Sequence, residues 1–249
     1  MPTNEIIIQE SEILRGPTST SIKAHIIDFN ETNVKDYAGY FAMTIDNVLT
    51  KKECSDLLTF IDPVGTGAWP VAMVTAYNGT QILDPASRFC ERIFYTSQAI
   101  ANRLLERILP HIPPEVVTLK NAADITGQFP VTRKETWRLC RLRDESRFLK
   151  YGPGHYFKPH CDGHFVDKCG AESFLTLHLY LNGDDDDPVE GGATKFAADF
   201  EDPRAGKFDI NPKPGSLVIF QRRDMYHEGV EVKAGTKYTM RTDVMYKKV

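Results

Sequence analysis

The segment Phe174-Leu-Thr-Leu-His-Leu-Tyr-Leu181 carries a leucine at every second position. In an extended chain, alternate side chains point to opposite faces, so the leucines form one apolar face. The other face presents the hydrogen-bonding groups of Thr176, His178 and Tyr180. We therefore predict a β-strand that packs one face on a hydrophobic core and lines a polar pocket with the other.

The segments around this strand also have strand character. Apolar runs at 147–151, 216–220 and 237–246 are separated by loops rich in Gly, Pro and Asp. From Trp137 onward, no helical segment of useful length lies between them. Short strands joined by turns are typical of a β-sandwich or jelly roll, whereas a parallel sheet needs helical connections.

The first half of the chain has helical periodicity. Thr50 and Glu53 have the spacing of a capping box. They precede apolar residues at the spacing of one helical face, which are Cys54, Leu57, Leu58 and Ile61. We predict a helix over about 51–62 and a second one from near Ser97, which stops before Pro110 because proline cannot continue the backbone ladder.

These patterns predict an α+β fold, mainly β. The chain of 249 residues is long enough to bury a core without disulfide or metal support. We expect a single catalytic domain over 1–249, because no boundary in composition divides it. Residues 1–136 would supply supporting helices and strands, and residues 137–249 would form a jelly-roll core.

Composition argues against several classes of partner. The net charge is −4, with 34 acidic and 30 basic residues, so we expect no general nucleic-acid partner. No signal peptide and no run of about 18 apolar residues is present, which predicts a soluble, cytoplasmic protein without a membrane partner. The five cysteines contain no C-x-x-C pair, which disfavours a disulfide framework and a structural zinc site.

Histidines cluster in the second half of the chain, where five of the seven lie between Gly154 and His227. His160 and Asp162 are two residues apart, so an extended backbone aims both side chains to the same side. Two imidazoles and one carboxylate form a ligand set associated with non-haem Fe(II) and oxygen chemistry. The H-x-D pair alone is weak evidence for a metal site, because it also occurs by chance and in hydrogen-bonded structural pairs.

Further motifs follow in a specific order. They are Tyr151-Gly-Pro-Gly-His-Tyr-Phe-Lys-Pro-His160-Cys-Asp162-Gly163, Glu190-Gly-Gly-Ala-Thr-Lys-Phe196, Pro212-Lys-Pro-Gly-Ser-Leu-Val-Ile-Phe220, His227, Lys237-Tyr238 and Arg241-Thr-Asp-Val-Met-Tyr246. With these, the sequence from about Trp137 to Tyr246 resembles the prolyl 4-hydroxylase-like branch of the iron(II)- and 2-oxoglutarate-dependent dioxygenases.

The resemblance implies a double-stranded β-helix with His160, Asp162 and His227 as the iron ligands. Fe(II), 2-oxoglutarate as co-substrate and O2 are the implied cofactors, with ascorbate as a candidate reductant. Three protein ligands leave room for a bidentate 2-oxo acid and for dioxygen. The implied reaction oxidises a C–H bond, by default through hydroxylation, and releases succinate and CO2.

The far carboxylate of 2-oxoglutarate requires a buried cation. Lys237, ten residues after His227, matches the basic residue of the prolyl hydroxylase branch, and Arg241 matches the position in other branches. We keep both and favour Arg241 for its planar fork of donors. The resemblance also places Tyr151 and Tyr180 beside the co-substrate. Thr176 and Thr194 are weaker candidates of the same kind.

Other residues in this region are not expected to bind the metal. They are His155 in an exposed turn, His164 near the substrate mouth, His178 as a pocket or core histidine, Cys161 on the opposite side of its strand, and the solvated loop Asp184–Asp187. Two competing functions remain open. One is a non-catalytic metal-binding jelly-roll sensor, and the other is a zinc hydrolase using His160, Asp162 and His164. The substrate partner is a small molecule or a peptidyl residue, and we favour a small molecule.

Overall fold

A computed structural model describes residues 8–16, 21–65, 68–76 and 79–249 of the chain. Strands dominate these residues. In chain order they are β1 (Lys23–Ile26), β2 (Ala42–Asp46), β3 (Val74–Thr75), β4 (Gln81–Ile82), β5 (Arg88–Phe89), β6 (Glu91–Thr96), β7 (Thr118–Lys120), β8 (Thr136–Leu142), β9 (Glu145–Tyr151), β10 (Tyr156–His160), β11 (Glu172–Tyr180), β12 (Glu190–Gly191), β13 (Thr194–Phe196), β14 (Phe208–Ile210), β15 (Leu217–Gln221), β16 (His227–Gly229), β17 (Val232–Ala234) and β18 (Lys237–Lys248).

The helices of the described residues all precede β8. They are α1 (Lys51–Ile61), α2 (Gln98–Ile108), α3 (Pro114–Val117), α4 (Ala123–Thr126) and α5 (Gln128–Thr132), with short 3-10 turns at Glu10–Glu12, Phe29–Glu31, Lys35–Tyr37, Asp62–Gly65 and Leu109–His111. None of these helices is long and apolar enough to cross a membrane.

Two antiparallel sheets form the core. The larger one has the order β1-β2-β15-β11-β18, and the long strand β18 then pairs with both β8 and β9, which pair in turn with β7 and β6. The smaller one has the order β14-β13-β16-β10-β5. The rings of Phe196 on β13 and Phe220 on β15 lie 5.2 Å apart, which shows that the sheets pack against each other. This arrangement confirms the mainly β, jelly-roll prediction.

The helices cover the outer face of the larger sheet. Leu57 of α1 and Leu104 of α2 share one core cluster with the alternating leucines of β11. Helix α1 begins with the predicted capping box, in which Glu53 N–H donates to the Thr50 hydroxyl and Thr50 N–H donates to the Glu53 carboxylate. The helices therefore support the sheet from outside, and the inner face remains for the pocket.

One residue of β11 departs from the predicted alternation. The register between β11 and β18 shifts at Ser173 and Leu175, so that Phe174 is the extra residue of a bulge. Its ring packs edge-on against Trp137 at 5.2 Å, within the helix-side core. Only Thr176, His178 and Tyr180 therefore remain on the polar face of this strand.

Replacing Leu177 with alanine is expected to destabilise the protein by about 2–5 kcal/mol, because the side chain is fully buried between the sheet and the helices. Urea denaturation measures the loss. Phe129→Ala is the matched control, since Phe129 is 77% exposed and its removal should change stability by less than about 0.5 kcal/mol. Equal effects of the two substitutions would contradict this packing.

Candidate metal centre

His160, Asp162 and His227 come together where the smaller sheet faces the cavity. His160 ends β10 and lies directly opposite His227, the first residue of β16. The Nε2 atom of His227 lies 3.7 Å from Asp162 Oδ2, and that of His160 lies 4.0 Å from Asp162 Oδ1. One ligand atom from each residue lies within 4.8 Å of the others. No other group of three or more His, Cys, Asp or Glu residues in the described part of the chain meets this criterion.

Backbone carbonyls fix the orientation of both histidine rings. The Nδ1 atom of His160 lies 2.8 Å from the carbonyl of Lys158, and that of His227 lies 3.2 Å from the carbonyl of Met225. A carbonyl only accepts, so each Nδ1 carries the hydrogen and each Nε2 presents its lone pair to the cluster. Burial, together with the neighbouring His227, holds the pKa of His160 well below its usual range. The neutral imidazole is the form that binds a metal.

Two donors hold the carboxylate of Asp162. The Thr176 hydroxyl donates to Asp162 Oδ2 at 2.6 Å, and Arg241 Nη2 lies 2.9 Å from Oδ1. Arg241 also contacts Asp243 at 3.1 Å. Both donors come from the larger sheet, so the carboxylate is oriented across the gap between the sheets. This donor set of two neutral imidazoles and one fixed carboxylate suits Fe(II) and leaves coordination positions open.

Lys237 lines the same cavity. Its side chain is 1% exposed, and its Nζ donates to the Gly192 carbonyl at 2.7 Å and lies 4.6 Å from the centre of the Tyr151 ring. It forms no ion pair with any described residue. Burial lowers its pKa to about 8. The lysine therefore remains available to pair with a carboxylate that enters the cavity.

A glycine makes room for this lysine. A Cβ at Gly192 would lie 3.3 Å from Lys237 Cδ and 3.1 Å from a methyl carbon of Val232, and its φ of +68° is one that other residues rarely adopt. The Glu190-Gly-Gly motif noted in the sequence thus has a steric function beside the cation.

Two buried tyrosines and a threonine lie around Lys237. Tyr151 is opposite Lys237 in the β9–β18 register. The Tyr180 hydroxyl donates to Thr194 Oγ1 at 2.7 Å, and burial raises the pKa of both tyrosines, so they stay protonated donors. Tyr151, Thr194 and Lys237 line the cavity. Tyr180 is linked to the cavity by its hydrogen bond to the Thr194 hydroxyl.

Lys237 and Arg241 therefore occupy different surroundings. Arg241, favoured from the sequence, is already engaged with Asp162 and Asp243, whereas Lys237 is buried and pairs with no carboxylate of the described residues. Residues four apart on a strand share one face, so both side chains point into the cavity. Only Lys237 lies between Tyr151 and Gly192. The arrangement favours the lysine as the partner of a bound carboxylate.

The remaining histidines lie outside the cluster. His164 Nε2 contacts Glu172 at 3.0 Å, so the structure does not bring it together with His160 and Asp162 as a zinc site requires. His178 lines the cavity, with its ring stacked on Tyr180, but its buried Nε2 has no hydrogen-bond partner among the described residues. His155 is half-buried and packs on Phe89 at 4.4 Å, so it is less exposed than expected.

The other two residues that we set aside also stay outside the cluster. Cys161 is not part of it, although it lines the wider cavity. The Asp184–Asp187 segment forms an exposed turn after β11, in which Asp184 and Asp186 pair with Lys51. The acidic turn therefore binds a lysine of the chain itself.

The cavity has a volume of about 650 Å³, within the range of about 300–1,000 Å³ usual for small-molecule sites. Its lining includes arginines that the motifs did not identify, namely Arg88, Arg92, Arg143 and Arg147. The two-residue period of β9 could have placed Arg147 on the face of Tyr151. Arg88 and Arg92 lie outside every motif, and their positions depend on β5 joining β10 and β6 joining β9.

The segment that carries the cluster matches a known protein family. The family model described as the 2OG-Fe(II) oxygenase superfamily matches residues 146–242, which include the three clustered residues and both cations of β18. Among curated protein sequences, none matches this chain significantly.

Several solved prolyl hydroxylases are similar in structure. The viral collagen prolyl hydroxylase of Paramecium bursaria Chlorella virus-1, solved as a 2OG complex, is 21% identical, with 82% of this chain and 95% of that chain covered and a TM-score of 0.45. A Pseudomonas putida prolyl-4-hydroxylase is 16% identical, with coverage of 84% and 95% and a TM-score of 0.49. A Trichoplax adhaerens prolyl hydroxylase, in complex with a hypoxia inducible factor peptide fragment, is 12% identical, with coverage of 87% and 85% and a TM-score of 0.49.

Proposed function

We propose that this chain, which belongs to the 2OG-Fe(II) oxygenase superfamily, hydroxylates a C–H bond of a small molecule or a peptidyl residue at the His160–Asp162–His227 cluster. The match over 146–242 confirms the membership predicted from the motifs. The chain is a 2-oxoglutarate-dependent dioxygenase, and Fe(II), 2-oxoglutarate and O2 are its cofactors. Ascorbate remains a predicted reductant.

The single observation that carries the proposal is the convergence of His160, Asp162 and His227, with both Nε2 atoms presented to one point. These residues would hold the iron. Iron held there would bind 2-oxoglutarate and activate dioxygen, the oxidant, so that one oxygen atom would end in succinate, with release of CO2, and the other in the hydroxyl group of the product. The Thr176 and Arg241 contacts would keep the Asp162 carboxylate in place throughout.

We assign the far carboxylate of 2-oxoglutarate to Lys237, with hydrogen bonds from the Tyr151 and Thr194 hydroxyls. The support is the burial of Lys237, its place between Tyr151 and Gly192, and the absence of a carboxylate partner for it in the described part of the chain. Tyr180 would orient Thr194, and the unpaired Nε2 of His178 would offer a further hydrogen bond inside the cavity. Lys237 follows His227 at the spacing that is typical of the prolyl 4-hydroxylase-like branch. This spacing supports placing the chain in that branch.

The surroundings of the cluster would shape the reaction. His160 stacks on Phe157 at 3.6 Å and His227 packs edge-on against Phe220 at 4.8 Å, so aromatic rings shield the imidazoles from water. Exclusion of water and fixed positions favour attack on one bound C–H bond. We further propose that 1–249 acts as one catalytic domain, because Arg88 and Arg92 of the first half line the same cavity as the cluster.

Anaerobic addition of Fe(II) and 2-oxoglutarate to the purified chain is expected to produce a weak visible charge-transfer band. On admission of O2, 2-oxoglutarate should be converted to succinate, measured by mass spectrometry. Zn(II) in place of Fe(II) is the control and should give neither signal. Failure of the iron-loaded protein to develop the band would rule out the proposed function.

A further inference from the structure

The cavity carries an excess of positive charge, although the whole chain has a net charge of −4. Seven basic side chains line it, against the three carboxylates of Asp162, Glu228 and Asp243. Loading the site does not remove this excess, because the two charges of Fe(II) are balanced by the two carboxylates of 2-oxoglutarate. The surplus therefore remains for the second ligand of the reaction, its substrate.

Some of these basic residues are neutralised by neighbours. Arg241 pairs with Asp162 and Asp243, and Arg143 pairs with Glu145 at 2.6 Å and Asp243 at 3.3 Å. Asp243 is thus shared by two close guanidinium groups. Arg147 lies 3.8 Å from the same carboxylate, so Asp243 neutralises the charge of Arg147 only weakly.

Arg88 and Arg92 form no ion pair with a described residue. Arg88 is 6% exposed and bonds to Cys90, with its guanidinium 4.5 Å over the Phe157 ring. Arg92 contacts the side-chain oxygen of Gln81 at 3.3 Å and lies over the Phe94 ring at 4.3 Å. Burial, together with Arg88 and Arg147, lowers the pKa of Arg92 to about 10. Partly buried guanidinium groups that repel one another are costly unless an anion binds between them.

The strand register gives the distance of these groups from the cluster. Arg147 on β9 is directly opposite Arg241 on β18, and Arg241 contacts the cluster residue Asp162. Arg92 lies on β6, the next strand beyond β9. Adjacent strands are about 4.8 Å apart, so Arg147 lies about one strand spacing from Arg241. Arg92 is opposite Leu149, two residues along β9 from Arg147, so its backbone lies about 12 Å from that of Arg241. A small molecule can span this distance to the cluster.

We propose that the substrate carries an anionic group, a carboxylate or a phosphate, that binds between Arg92 and Arg147 while its reacting C–H bond lies at the His160–Asp162–His227 cluster. This inference rests on the proposed function and adds the chemical class of the substrate. Guanidinium groups bind both oxyanions through two parallel hydrogen bonds, which position the ligand as well as attract it.

Binding of probe anions tests the proposal. The chain is loaded with Mn(II) and saturating N-oxalylglycine, a 2-oxoglutarate analogue that fills the co-substrate site. Glutarate and inorganic phosphate are then titrated in separate calorimetric experiments. At least one should bind, and the stronger of the two indicates whether the substrate anion is a carboxylate or a phosphate. Arg92→Gln and Arg147→Gln are each expected to weaken that binding by tenfold or more.

Lys150→Gln is the matched control. Lys150 lies on β9 like Arg147 but pairs with Glu91 at 3.4 Å and does not line the cavity, so probe binding should be unchanged. Retained N-oxalylglycine affinity in the arginine variants shows that they are folded. If neither probe binds to the wild type, or if both variants bind as tightly as the wild type, the anion site does not exist.

The anaerobic Fe(II) and 2-oxoglutarate band separates this inference from the function on which it rests. A wild type that forms the band but binds no probe anion retains the proposed function and refutes the anionic substrate. A wild type that forms no band refutes both.

Discussion

His227→Ala is expected to abolish succinate production and the anaerobic charge-transfer band. The substitution removes one of the three ligand atoms that lie within 4.8 Å of one another. Loss of a residue that only orients a ligand already weakens metal binding by about 10–100-fold, so loss of a ligand itself should weaken it by on the order of 100-fold or more. Calorimetric titration with Fe(II) under anaerobic conditions measures the affinity, and mass spectrometry measures succinate.

His164→Ala is the matched control for this prediction. His164 is also a histidine near Asp162 in the sequence, but it pairs with Glu172 and lies outside the cluster. Its removal should leave Fe(II) affinity within about threefold of the wild type, since exposed or half-exposed ion pairs contribute less than about 1 kcal/mol. The opposite result, with metal lost in His164→Ala and kept in His227→Ala, would instead support the zinc hydrolase.

Lys237→Met should weaken 2-oxoglutarate binding by a factor of about 30 or more, because removing one partner of a buried charge pair costs about 2–5 kcal/mol. Methionine is an unbranched side chain only one heavy atom shorter than lysine, so the cavity should retain its shape. Fluorescence or calorimetric titration of 2-oxoglutarate into the Mn(II)-loaded protein gives the affinity. Lys150→Met provides the control, since Lys150 is a partly exposed lysine that pairs with Glu91 instead of lining the cavity.

The same lysine predicts how 2-oxoglutarate affinity changes with pH. Burial lowers the pKa of Lys237 to about 8, and the ammonium form is the one that pairs with a carboxylate. Below this pKa the lysine is charged and affinity is at its full value. As pH rises through 8 the lysine loses its proton, and affinity should fall by up to about tenfold for each further pH unit.

Lys237→Met should remove this pH dependence together with the affinity. If the wild-type affinity for 2-oxoglutarate stays constant from pH 7 to pH 9 and Lys237→Met binds it equally well, Arg241 and not Lys237 binds the co-substrate carboxylate. The guanidinium of Arg241 keeps its charge over this whole range.

Local signals in the sequence were sufficient for most elements of the fold. The Thr50–Glu53 capping box and the four apolar residues after it predicted a helix over about 51–62, and the helix spans Lys51–Ile61. The second helix starts at Gln98, next to the predicted Ser97, and ends at Ile108 before Pro110. Each signal acts within one or two turns of helix, where the hydrogen bonds and the buried face are set by nearby residues.

The same reasoning explains where local patterns were insufficient. Phe174 follows the two-residue period of β11, yet a bulge moves it to the helix-side core. His178 lines the cavity, as the period predicts, but the period does not show that its buried Nε2 has no hydrogen-bond partner among the described residues. Both outcomes depend on the pairing of β11 with a distant strand, which no local period contains.

The sequence by itself predicted the class of fold, the family resemblance and the three residues that we propose as iron ligands, because each depends on residue type and short spacing. The tertiary structure decided which charged side chains of the cavity pair with each other. Arg241 and Lys237 are four residues apart on one strand, but only the approach of the two sheets pairs Arg241 with Asp162, which follows β10, and no carboxylate of the described residues pairs with Lys237. Electrostatic partners are set by distance in space, and strands remote in sequence become neighbours only in the folded sheet.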